Sequence, residues 1–260
     1  MTQTSEPGLE ARNLDIGHGR TVLARNIAME LASGELVALL GPNGVGKSTL
    51  LRTLAGLAMP MAGAVQVNGR DVHAMSAMER ARHIAVVLTA RPPGGELDVD
   101  TVVALGRQPW TDRWGRITAT DRKAVEQALA RTGAQHLSGR TLATCSDGEC
   151  QKVMIARALA QTTPVLLLDE PTAFLDLPNR AAIVRTLRTI AHEEDKAVLF
   201  STHDLQLAMD LCDRLVLMRP DGGIWQGAPG QAAATGELAA VFEGSGVAID
   251  PLTGTHRFRP

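Results

Sequence analysis

The chain has 260 residues with 26 basic and 28 acidic side chains, a formal charge of −2, so it can bury a substantial core and lacks the basic excess of domains that coat nucleic acid. Hydrophobic residues make up 45% and charged residues 21%, and no apolar run nears the ~18 residues of a membrane span. The N-terminal MTQTSEPGLE has neither a basic region nor an apolar stretch, so no secretory signal is expected. Residues 1–8 read as a tail. LEARNLDIG, TVLARNIAMEL and the buried run ELVALL read as strands, with Ser33 and Gly34 between the last two. Leu36–Leu40 leads into a glycine-rich loop at Gly41, and a helix should start near Lys47. AVQVNGRDV alternates apolar and polar residues through the hairpin pair Asn68 and Gly69. Ser76 and Glu79 form a capping box for a short helix. Ile84–Leu88 is another buried strand, followed by a loop RPPGGE and helical segments near 98–106, 119–132 and 149–160. From Val165 strands and helices alternate: Val165–Asp169, a helix from Asn179 to Glu193, Ala197–Ser201, a helix from Asp204, then Arg214–Met218. That alternation predicts a parallel sheet with crossover helices, interrupted at 90–160 by a mostly helical insert.

The strongest motif is Gly41, Pro42, Asn43, Gly44, Val45, Gly46, Lys47, Ser48, which fits G-x-x-x-x-G-K-[ST] between a buried strand and a helix. Glycines let backbone N–H groups turn inward around phosphates, and the helix adds its positive N-terminal dipole. Lys47 would reach the β- and γ-phosphates, and Ser48 would ligate Mg²⁺; Thr49 follows as a further nucleotide contact. The plain alternative is a glycine-rich turn with a chance lysine.

In Val165–Asp169, followed by Glu170 and Pro171, an apolar strand ends in two acids, where α/β proteins bind ligands. Asp169 would hold Mg²⁺ and Glu170 would take a proton from the attacking water. Such a pair taken alone could equally cap the next helix; beside a phosphate loop it points to hydrolysis.

Ser146 and Glu149 in Cys145–Glu149 form a capping box, so a helix N-terminus points at whatever lies before Ser146. Here the chain resembles the ATP-binding subunits of ABC transporters, over roughly residues 9–250. The resemblance implies an α/β fold: a P-loop NTPase core with a mostly parallel sheet, an N-terminal antiparallel β-subdomain and an inserted α-helical subdomain. Residues 9–89 and 161–228 would form core and β-subdomain, 90–160 the helical subdomain, and 229–260 a C-terminal extension. In that family this segment is the signature, usually LSGGQ or LSGGE, which contacts ATP held by the opposite protomer. Ser146 and Gly148 would make that contact, while Cys145 and Asp147 depart from the pattern, and a carboxylate at 147 should repel phosphate unless it points away.

Ala173–Asp176 looks like the family's D-loop, so Asp176 would meet its mate across a dimer. Ser201–Asp204 looks like the switch-histidine motif, so His203 would contact the γ-phosphate; a lone strand-end histidine would otherwise be structural. Two elements are altered. Thr89 stands where the family's glutamine links Mg²⁺ and water to the helical subdomain. His18 stands where a tyrosine usually stacks on adenine, and this chain has no tyrosine; the alternative for His18 is an exposed turn residue. Three cysteines, Cys145, Cys150 and Cys212, suggest neither a disulfide framework nor a zinc site and fit a reducing cytoplasm.

One nucleotide-binding unit without a membrane span implies a homodimer sandwiching two ATP, docked on two integral-membrane permease subunits at the cytoplasmic face of the inner membrane. An importer would add an extracytoplasmic binding protein. The segment from Thr101 to Leu129, with L-G-R-x-P and a tryptophan loop, is similar to ATPases for iron-siderophore, haem and cobalamin uptake, as is the terminal VFEGSGVAIDPLTGTHRF. Trp110 and Trp114 either pack the helical subdomain or touch the permease. ATP and Mg²⁺ are the expected cofactors and no nucleic acid is expected. Exporters, soluble family members in DNA repair or translation, and nucleotide kinases are the alternatives. The last two lack support, because coiled-coil inserts and basic extensions are missing and a kinase would not carry the CSDGE helix or STHD.

Overall fold

The computed structural model describes residues 7–89, 96–173, 175–241, 247–249 and 256–258. Most of the expected RPPGGE loop, Phe174 of the D-loop segment and part of the C-terminal extension lie outside them. The chain runs β1 (Pro7–His18), β2 (Thr21–Ala32), β3 (Leu36–Leu40), α1 (Lys47–Leu54), β4 (Ala62–Val67), β5 (Arg70–Asp71), α2 (Ala77–Arg80) and β6 (Ile84–Val87). Next come α3 (Val99–Ala104), a 3₁₀ turn (Leu105–Trp110), α4 (Ala119–Arg131) and α5 (Asp147–Ala160). Then follow β7 (Val165–Leu168), α6 (Leu177–Glu194), β8 (Ala197–Ser201), α7 (Leu205–Leu211) and β9 (Arg214–Met218). The chain ends in β10 (Ile224–Gly227), α8 (Pro229–Ala234), α9 (Glu237–Val241) and the pair β11 (Val247–Ile249) and β12 (His256–Phe258). The first strand begins at Pro7, paired with Ala32, so the expected tail loses its last two residues to the sheet. None of the helices described is long and apolar enough to cross a membrane.

Two larger sheets result. One is antiparallel, in the order β2-β1-β4-β5. Positive φ at Asn13 (47°) and Asn26 (52°) accompanies its register shifts, since asparagine tolerates the left-handed region. The other has the order β10-β9-β3-β8-β7-β6, parallel except for β10. β3, β6, β7 and β8 read as nearly continuous apolar runs because both faces are covered. Leu36, Ala38 and Leu40 pack towards α3–α9, while Val37 and Leu39 pack towards β1, β2 and α1. Ala232, Ala233, Leu238 and Val241 join the first of these cores, so α8 and α9 are integral to the packing.

Residues 99–160 are held by a buried polar knot. Arg107 Nε donates to Asp121 Oδ1 at 2.8 Å, and its Nη1 donates to the Ala160 carbonyl at 2.7 Å. Asp121 Oδ2 also accepts from the Thr118 hydroxyl and N–H, closing a capping box on α4. Trp110 donates from Nε1 to the Gln161 carbonyl at 2.8 Å, with the Arg82 guanidinium 5.3 Å over its ring. Gln161 in turn donates to the carbonyls of Ala81 and Ile84. Trp110, 42% exposed, thus links the 3₁₀ turn through Gln161 to the start of β6. Trp114 is 69% exposed.

Removing one partner of a buried ion pair leaves the other uncompensated. Arg107→Ala should lower unfolding free energy by about 3 kcal/mol in urea titrations. The Thr118 hydroxyl and N–H, then Arg107, hold the Asp121 carboxyl at about 2, below an unfolded value of about 3.9. The stability this contributes is fully present above the unfolded value and is lost as pH falls towards 2. Asp121→Asn should flatten the acid limb of stability below about pH 4, measured by melting against pH.

Candidate active site

The parallel sheet brings the functional segments to one edge. β3, β7 and β8 run the same way, so the loops after Leu40, Leu168 and Ser201 emerge together at their C-terminal ends. After β3 the chain turns through Gly41–Gly46 into α1. Gly46 takes φ +113°, which a side chain would strain. A Cβ on Gly41 would sit 2.7 Å from the Met218 carbonyl, so the loop can lie this close to β9 only as glycine.

Lys47 is 6% exposed, and its Nζ donates to the carbonyls of Gly41 (2.8 Å) and Pro42 (3.0 Å). Burial lowers its pKa, while the charges of Glu170 and Asp169 oppose that shift. An ammonium folded back on neutral carbonyls keeps its charge for an anionic ligand in the same loop. Asp169 is buried, and its Oδ1 accepts from Ser201 Oγ at 2.8 Å. Ser48 is exposed at the start of α1. A carboxylate and a hydroxyl are the hard oxygen donors that Mg²⁺ prefers, so the residues present fit that ion.

Glu170 sits at φ +50°, a left-handed conformation that costs a non-glycine residue roughly 1 kcal/mol. Its N–H donates to Ser201 Oγ at 2.8 Å, and its Oε1 lies 2.6 Å from His203 Nε2. The sheet thus joins the acid after β7 to the imidazole after β8, residues 33 apart in sequence. A cleft of about 560 Å³ opens beside them, lined by Thr172, Leu177, Arg180 and Asp204 among others.

The altered residues also have partners. Thr89, just beyond β6, donates its hydroxyl proton to the Asp169 carbonyl at 3.0 Å. His18 ends β1, exposed, with Nε2 2.8 Å from Thr49 Oγ1. That places the imidazole beside the first turn of α1, next to the phosphate-loop residues.

Ser146, Gly148 and Asp176 are positioned differently. Ser146 caps α5, with Glu149 completing the box, and Gly148 faces Leu175. Asp176 caps α6 through the Asn179 N–H. None of these contacts is to residues 41–49. Asp147 is exposed in the first turn of α5. Sequence reasoning placed Ser201 at the head of the switch-histidine segment and gave it no role of its own; nothing in the sequence signalled its contacts with Asp169 and Glu170.

Comparison with known proteins decides the family. The model of the ABC transporter family matches residues 24–173. The chain belongs to the ABC transporter family. It is an ATP-hydrolysing subunit of ABC type, and its nucleotide is ATP. A cobalamin import ATP-binding protein, BtuD of Halobacterium salinarum, is 42% identical over 97% of this chain; the match spans only 63% of that longer protein. The ferric enterobactin transport ATP-binding protein FepC of Escherichia coli is 34% identical over 95% of this chain and 92% of its own length. A chain from an inward-facing ABC transporter, provisionally described as of the metal-chelate type, superposes with a TM-score of 0.80 at 26% identity, covering 91% of this chain and 89% of that one.

In this ABC ATPase the capping box sets the start of α5. Ser146→Ala removes the side-chain acceptor for the Glu149 N–H. It should cost about 1 kcal/mol of stability in denaturant titrations.

Proposed function

We propose that this ABC ATPase drives inward transport of a metal chelate, an iron–siderophore complex foremost. The near full-length similarity to the ferric enterobactin transport protein supports that cargo. A cobalamin cargo is the second reading, supported by the 42% identity to the Halobacterium protein. In either case two copies would sandwich two ATP and dock on two permease subunits at the cytoplasmic membrane face, with residues 90–160 as the docking subdomain.

The observation that carries the chemistry is the Glu170–His203 pair at the sheet edge, 2.6 Å apart. Gly41–Thr49 would wrap the phosphates through backbone N–H groups, and Lys47 would leave its loop carbonyls for the β- and γ-phosphates. Ser48 and Asp169, with Thr89 close by, would hold Mg²⁺, which screens phosphate charge when bound. Glu170 would accept the proton of the water attacking the γ-phosphate. His203 would then turn from Glu170 to the γ-phosphate and orient that water, freeing the carboxylate as a base. Ser146, Gly148 and Asp176 would serve the partner's nucleotide, and His18 would lie under the adenine.

Glu170→Gln should lower turnover by about 100-fold or more while ATP still binds, so that an ATP-bound dimer accumulates on gel filtration. Undiminished turnover would remove Glu170 as the base. An imidazole tied to Thr49 offers a weaker stacking face than a phenol. ATP and GTP should therefore compete for the site within about tenfold of each other in a displacement titration. Uptake assays with labelled siderophore, haem and cobalamin test the cargo. Uptake of cobalamin alone would select the second reading.

A further inference from the structure

We propose that Ser201 and Thr89 position the acid pair by clamping the single peptide unit between Asp169 and Glu170. The inference rests on Glu170 acting as the base. The Asp169 carbonyl accepts from Thr89 Oγ1 at 3.0 Å, and the Glu170 N–H donates to Ser201 Oγ at 2.8 Å. That carbonyl and that N–H belong to one planar trans peptide and point in opposite directions. Two hydroxyls therefore grip it from both edges, one beyond β6 and one at the end of β8, the strands that flank β7.

Ser201 does more than hold the backbone. Its own proton goes to Asp169 Oδ1 at 2.8 Å. One hydroxyl thus orients the backbone N–H of one acid and the carboxylate of the other. Ser201 is 0% exposed, so no solvent stands ready to replace it, and both of its partners would be left unsatisfied without it. The clamp also explains how Glu170 keeps its left-handed φ of +50°. A freed peptide can rotate to relieve that conformation, and the rotation would carry the carboxylate away from His203. Ser201 touches neither nucleotide nor water in this scheme, and within the clamp both hydroxyls act through the acids.

The test uses basal ATP hydrolysis by the whole chain, with kcat, KM for ATP and melting measured for each variant. Ser201→Val and Ser201→Thr are matched in volume and differ in the hydroxyl. Ser201→Val should lose about tenfold or more in kcat with KM within about threefold of the parent, and Ser201→Thr should stay within about threefold in kcat. Ser201→Ala gives the same readout if the valine variant does not fold. Thr89→Val should lose less, and combined with Ser201→Ala the loss should fall short of the product of the two, since both free one peptide. Parental kcat in the valine or alanine variant overturns the clamp. So does an equal loss in the threonine and valine variants, which would mark a volume effect, or a loss confined to melting. Glu170→Gln separates the two readings. Undiminished turnover there removes the base itself, whereas an inactive Glu170→Gln beside a fully active Ser201→Val removes only the clamp.

Discussion

β3, β8, β7 and β6 are in parallel register, and nearly all of their residues are buried on both faces. Their backbone groups have no water to turn to, so the ladder must stay complete. That requirement ends the strands level with one another and puts three loops at one edge. The glycine-rich loop, the acid pair and the histidine are neighbours because the ladder makes them so. The rest of the fold serves this edge: the antiparallel sheet covers one face of the parallel sheet, and α3–α9 cover the other.

At that edge the charges are arranged against cost. Lys47 is buried with neutral carbonyl partners, and Asp169 is buried with a neutral hydroxyl on one oxygen. Glu170 and His203 hold each other at the rim. Each partnership keeps a polar group satisfied.

The buried knot of Arg107, Asp121 and the Ala160 carbonyl keeps residues 99–160 together, and Trp110 with Gln161 fastens them to the base of β6. β6 also leads to Thr89, so one strand joins the helical region to a residue that touches the acid pair at the end of β7. The hydrogen bond from Thr89 to Asp169 is the last link of that connection.

Much of this was legible in the residues alone. Local signals are written within a few positions: the glycine spacing before Lys47, the apolar run ending in Asp169 and Glu170, the boxes Ser76/Glu79 and Ser146/Glu149, and the Asn68–Gly69 turn. Each depends on backbone geometry that neighbouring residues control, so each could be read without a fold. Other features had no such signal. Ser201 shares no local pattern with Asp169 or Glu170, 32 and 31 residues away. Arg107 finds Ala160 across 53 residues, and α8 and α9 join a core built mainly from earlier elements. These contacts arise only when the strands take their order in the sheet, because register, not proximity in the chain, decides which side chains meet.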